Sequence, residues 1–110
     1  MEITSLKQII QLQENSASFF LYISAQNCSV CHALRPKVME MMNNQFPQLQ
    51  PFYVETHKNP EIAAQLGIYT NPSLVIFLQG KEFIRQSRVI SLVQIQEKLK
   101  RPYSLVFSSL

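Results

Sequence analysis

Residues 18–31, SFFLYISAQNCSVC, decide how this chain is read. Ser18 to Ala25 is dense in aromatic and β-branched residues and is short, the mark of a strand buried on both faces. Gln26-Asn27 is a polar turn, and Cys28 follows at once. From Ser29 to about Gln45 the period turns helical, with Val30, Leu34, Val38, Met41 and Met42 apolar. A C-x-x-C pair therefore stands where a buried strand hands over to a helix, which places both sulfurs on one helical turn.

Outward from that junction, helical and strand periods alternate. Thr4 or Ser5 can cap a first helix carrying Leu6, Ile9, Ile10 and Gln13, with Asn15-Ser16 as its stop. Pro36 lies inside the helix after the cysteines and is expected to kink it. Pro51 to Glu55 reads as a second strand. Asn59-Pro60-Glu61 opens a short helix with Ile62, Ala63 and Leu66 on its apolar face and Gly67 at its end. Ser73 to Leu78 is strongly strand-like, Gln79-Gly80 turns the chain, and Glu82 to Val89 returns antiparallel. Ser91 caps a last helix through Leu99, with Lys98, Lys100 and Arg101 read as its C-terminal turn and Pro102 as its stop. The apolar tail from Tyr103 onward is left unassigned, either packing back on the domain or contacting another chain. The order α-β-α-β-α-β-β-α assembles most simply as an α/β fold, one sheet with helices on both faces.

A chain of 110 residues implies one domain, taken as 1–110 with 102–110 as its tail. Its apolar fraction of 46% and charged fraction of 15% fit a folded globule. The net charge of +3 is scattered, without the dense basic face a nucleic-acid partner needs. No window is long and apolar enough to span a membrane, and the first residues do not read as a secretion signal. The expectation is a cytoplasmic protein, where two cysteines are more often reactive than structural.

The placement of the pair gives it chemistry. A free thiol is only about 3% ionised at pH 7, and a helix N-terminus that lowers its pKa to about 7 raises that to about half. Cys28 is the candidate nucleophile and Cys31, one turn deeper, the resolving thiol. Three rival readings concern the same residues. The thiols can be an inert buried pair. Zinc would need about four ligands, and only His32 and His57 are available to supplement the cysteines. Cys28 to His32, C-S-V-C-H, formally fits a haem-attachment pattern, but lacks the export signal that goes with it. The expectation is no metal and no cofactor.

Over about residues 1–101 the chain resembles the thioredoxin family. The features that carry the likeness are the strand before Cys28 and Cys31, Pro36 five residues after the second cysteine and the Asn59-Pro60 helix start. The segments Leu66 to Leu74 (LGIYTNPSL) and Phe77 to Lys81 (FLQGK) complete it. The resemblance implies a thioredoxin fold with a central mixed sheet of four to five strands. It implies dithiol–disulfide exchange in cell redox homeostasis and electron transport. Its partners would be a disulfide-containing protein or small molecule as substrate and a thioredoxin reductase or other dithiol donor. It also implies that Pro72 is a cis-proline opposite the cysteines, with Asn71, Pro72, Asn27, Ser29 and Val30 as substrate-binding residues.

The departures from the family pattern are specific. The chain has no Trp, and Ser29-Val30 stands where Gly-Pro is usual. Tyr22 and Tyr53 occupy the positions of the family's buried Asp and its partner Lys, so the usual proton acceptor for Cys31 is absent. Glu55 lies on the following strand without any sequence signal that puts it in reach. These changes imply a specialised protein with a slow exchange step. They also keep open a second reading, a non-catalytic binding or redox-switch module on the same fold.

Overall fold

The structure, a computed structural model, describes residues 1–108. The elements follow the order read from the sequence: α1 (Leu6–Glu14), β1 (Phe19–Ser24), α2 (Ser29–Gln45), β2 (Gln50–Glu55), α3 (Pro60–Leu66), β3 (Ser73–Leu78), β4 (Lys81–Ser87) and α4 (Leu92–Val106). The strands form one mixed sheet in the order β2-β1-β3-β4. β1 runs parallel to β2 and antiparallel to β3, which pairs antiparallel with β4. The N-terminus adds a single parallel bridge, Glu2 to Tyr53, beside β2. It rests on two backbone bonds, Ile3 N–H to Tyr53 C=O and Tyr53 N–H to Met1 C=O. That bridge occupies the place of a fifth strand without being one.

β1 is buried at all six positions, as its run of apolar residues requires. Its side chains alternate between two cores. Phe20 and Tyr22 pack with Val38 and Met42 of α2, and with Ile95 and Leu99 of α4. Phe19, Leu21 and Ile23 pack with Ile9 of α1 and Ile62 of α3 on the opposite face. The two apolar layers hold the end of β1 at the middle of the sheet, and with it the loop to the cysteines.

Local signals set the element ends. Gln8 Oε1 accepts from the Thr4 and Ser5 backbone N–H groups at 2.8 and 3.0 Å, closing the start of α1. Gly67 ends α3 in the left-handed region at φ 69°. Gln79 and Gly80, at φ 53° and 83°, make the two-residue hairpin turn in which both positions need positive φ.

One element departs from the sequence reading. Pro102 does not stop the last helix, which continues to Val106. Lys98, Lys100 and Arg101 therefore lie in its body, and its last turn has no basic residue. Pro102 denies a hydrogen bond to the carbonyl four residues back, but Lys98 is exposed there and water can serve that carbonyl. The extra turn buries apolar surface in return. Tyr103 packs edge-on against Phe46 at 5.1 Å and against Phe107 at 4.8 Å. Its hydroxyl accepts the Gln48 backbone N–H at 3.0 Å. Tyr103 and Phe107 of the tail are thus partly buried and packed against the core. Ser109 and Leu110 lie outside the described residues.

Candidate active site

Cys28 is the N-cap of α2, in extended backbone. Asn27 before it takes φ 58°, a left-handed conformation that asparagine tolerates better than most residues. That single residue turns the chain out of β1 and into the helix. Cys28 and Cys31 are joined by a disulfide with their Cα atoms 5.3 Å apart. The Cys28 sulfur also accepts the Cys31 backbone N–H at 3.2 Å, serving one of the unpaired donors of the first turn. The two sulfur-bearing residues differ in access: Cys28 is half-buried, and Cys31 is fully buried. Ser29 and Val30 between them are exposed, as is Asn27. His32 is exposed in the same first turn.

The strand register brings the second predicted segment to the same end of the sheet. Ile23, one residue from the end of β1, is paired with Ser73, so Pro72 sits beside the point where the chain leaves β1 for Cys28. The Asn71–Pro72 peptide is cis. Ser73 anchors this loop, its hydroxyl donating to Thr70 C=O at 2.7 Å and lying 2.8 Å from Ser87 Oγ. Pro72 C=O accepts the Arg88 backbone N–H at 2.8 Å, tying the end of β4 to the loop. Asn71 Oδ1 is buried and has no hydrogen-bond partner among the described residues. Tyr69 and Val89, on the two segments tied through Pro72, are both large, apolar and strongly exposed.

Beneath the cysteines the structure shows two tyrosines and an arginine. Tyr22 is fully buried, and its hydroxyl donates to the Cys31 carbonyl at 2.7 Å. Burial, and secondarily Tyr53, push the Tyr22 hydroxyl up to about 12, against an opposing pull from Arg35. A phenol held this firmly protonated is a donor and not a base. Tyr53 stacks beside Tyr22 with ring centroids 6.4 Å apart. The Arg35 guanidinium lies 3.7 Å above the Tyr53 ring centroid. Tyr53's hydroxyl pairs with Ser24 Oγ at 2.8 Å and reaches Glu55 Oε1 at 3.4 Å. Glu55 is engaged from its other oxygen by Lys58 Nζ at 2.7 Å, and that hydrogen bond holds its carboxyl below the usual carboxylate range.

Arg35 and Ser24 were not singled out from the sequence. Arg35 looks like an exposed helix charge by residue type, and only its spacing of four from Cys31 hints at a shared face. Ser24 carried no signal at all. His57 stands exposed beyond the end of β2, apart from the first turn of α2 that carries His32.

The sequence pattern described as Thioredoxin matches residues 4–101, nearly the whole chain. The chain belongs to the thioredoxin family. Thioredoxin-like protein YdfQ of Bacillus subtilis (strain 168) is 32% identical over 107 residues, covering 94% of this chain and 95% of that one. Among solved structures, the thioredoxin of Fasciola hepatica superposes with a TM-score of 0.76 at 24% identity, covering 91% of this chain and 96% of that one. The oxidised form of mitochondrial thioredoxin 3 from Saccharomyces cerevisiae gives 0.77 at 16% identity, covering 91% and 92%. These structural likenesses establish the thioredoxin fold. Family, fold and cysteine pair together support a thiol–disulfide oxidoreductase in general terms.

Proposed function

We propose that this chain carries out dithiol–disulfide exchange on disulfide-bearing proteins or small molecules, as part of redox homeostasis in a reducing compartment such as the cytoplasm. The observation that carries the reading is the Cys28–Cys31 disulfide at the N-terminus of α2, with one accessible and one buried cysteine. The difference in access between the two cysteines supports an order of events. In the reduced protein Cys28 attacks a substrate disulfide, forms a mixed disulfide and expels one substrate thiolate. Cys31 loses its proton to solvent and attacks the Cys28 sulfur, expelling the second substrate thiolate. Two electrons pass to the substrate, the two expelled thiolates take up protons, and the protein is left oxidised. A thioredoxin reductase or another dithiol donor then restores the dithiol.

Several features support a substrate surface around Cys28. Asn27, Ser29 and Val30 flank the disulfide and are exposed. Tyr69 and Val89 offer apolar area from the Pro72 side. The exposed Tyr69 ring, in a chain without tryptophan, supports a specialised substrate. Tyr22 is no proton acceptor, and a slow resolving step follows from that.

Reduction of insulin disulfides tests the reading. The unmodified protein is expected to turn over with dithiothreitol as donor, and Cys28→Ser to lose at least about 10³-fold of that rate, since no thiolate remains to make the first attack. Equal rates for the two proteins would leave a redox switch on the same fold, closing its disulfide without turnover.

A further inference from the structure

The oxidoreductase reading, on which this inference rests, needs Cys31 to act as a thiolate. The groups packed beneath it contain no uncommitted carboxylate. Tyr22 faces Cys31 from β1 with its hydroxyl on the Cys31 carbonyl. Tyr53 of β2 stacks beside Tyr22, and Glu55, which the Tyr53 hydroxyl reaches, is already paired with Lys58. From α2 itself come His32, which is exposed, and Arg35. On the cis-proline side the titratable or charged side chains are Tyr69 and Arg88, both exposed.

Arg35 is a cation held in place on the helix that carries Cys31. It follows Cys31 by four residues, so the two side chains leave α2 on the same face. It is half-buried, and its guanidinium is seated on the ring of the buried Tyr53. That ring stacks on Tyr22, whose hydroxyl donates to the Cys31 backbone carbonyl. The side chains of Arg35, Tyr53 and Tyr22 form a continuous packed unit that ends on the Cys31 backbone carbonyl, and within it Arg35 opposes the rise that burial causes at the Tyr22 hydroxyl. A cation held in a partly desolvated place acts over several ångströms with little screening.

We propose that Arg35, seated on the Tyr53 ring, is a positioning residue that stabilises the Cys31 thiolate during resolution of the mixed disulfide. The proton of Cys31 leaves to water, and the anion that remains is favoured by a fixed positive charge where the family pattern offers a proton acceptor. Tyr53 contributes its π face and Tyr22 its grip on the Cys31 carbonyl; neither takes a proton.

The test is a pH titration of the reduced protein, labelled with 13C at the cysteine Cβ atoms and read by NMR, which resolves Cys28 from Cys31 and needs no turnover. Arg35→Met is expected to move the Cys31 midpoint alkaline by about one pH unit, which is about ten-fold less thiolate at a fixed pH below it. Arg35→Lys restores most of the shift. Tyr53→Phe keeps the ring and leaves the midpoint in place, whereas Tyr53→Leu moves it as Arg35→Met does. Arg35→Gln substitutes if Arg35→Met does not fold. A purely structural role would lower the melting temperature and leave the midpoint alone. An unchanged Cys31 midpoint without the arginine overturns the proposal, and so does an equal shift in His32→Gln, which would assign the effect to the imidazole. Insulin reduction by the unmodified protein judges the oxidoreductase reading separately, so the two can fail independently.

Discussion

At the scale of single residues, the site is defined by what Tyr22 does. A buried hydroxyl must find a partner or cost free energy comparable to a lost hydrogen bond. Tyr22 finds the Cys31 carbonyl at 2.7 Å, and so joins the middle of the sheet to the first turn of α2. Tyr22→Phe keeps the ring and removes the bond, leaving a carbonyl without that donor. The expected loss is about 1–2 kcal/mol of stability for the oxidised protein, measured by urea unfolding with no change in slope. A loss near zero would show that the carbonyl is satisfied without Tyr22. From sequence, Tyr22 was visible only as a replacement for a carboxylate. Its actual partner, a backbone atom nine residues away, carries no sequence signature. Asn71 is the opposite case: its place before Pro72 was legible, and that its side-chain oxygen would be buried without a partner was not.

At the scale of elements, two features can be put to the test. Gly80 closes the β3–β4 hairpin at φ 83°, and a Cβ there would run into the Gln13 carbonyl of α1. Gly80→Ala suffers from both the backbone conformation and the collision. It should lower stability by about 2–3 kcal/mol, read as a fall in urea midpoint. Gly67 makes a useful contrast, since it has positive φ but room for a methyl group; Gly67→Ala should cost only about 1 kcal/mol. The second feature is the last helix. Reading Pro102 as a stop followed the local rule, and the rule failed because burial of Tyr103 and Phe107 outweighs one missing backbone bond. Removing residues 102–110 should therefore destabilise the fold by about 2–4 kcal/mol, with Tyr103→Ala supplying much of it. A truncated protein that melts at the full-length temperature would contradict the packing seen against Phe46.

At the scale of the whole molecule, β1 is common to both cores, with Phe19 and Phe20 pointing to opposite faces. Phe19 stacks on Phe77 at 4.5 Å, with Phe52 edge-on at 6.0 Å. Phe19→Ala should cost about 3–5 kcal/mol. Because the strand is shared, helices on both faces should be lost in the same transition. Far-UV circular dichroism and tyrosine fluorescence, which reports chiefly on the α2–α4 face, should then give coincident urea curves. Curves that separate would mean that the two layers unfold independently.

The sequence by itself determined the order of the elements, the two-faced burial of β1 and the position of Cys28 at a helix start. Hydrophobic period, caps and turn residues are short-range, and each acts within a few positions of its own. It also carried the family likeness, through spacings that survive substitution. The tertiary structure alone decided what Tyr22 and Tyr53 bond to, that Arg35 joins them, and how far the last helix runs. Arg35 reaches Tyr53 across 18 positions of chain, and Tyr103 reaches Phe46 across more than 50. Contacts of that range depend on how layers stack, and no local pattern encodes them.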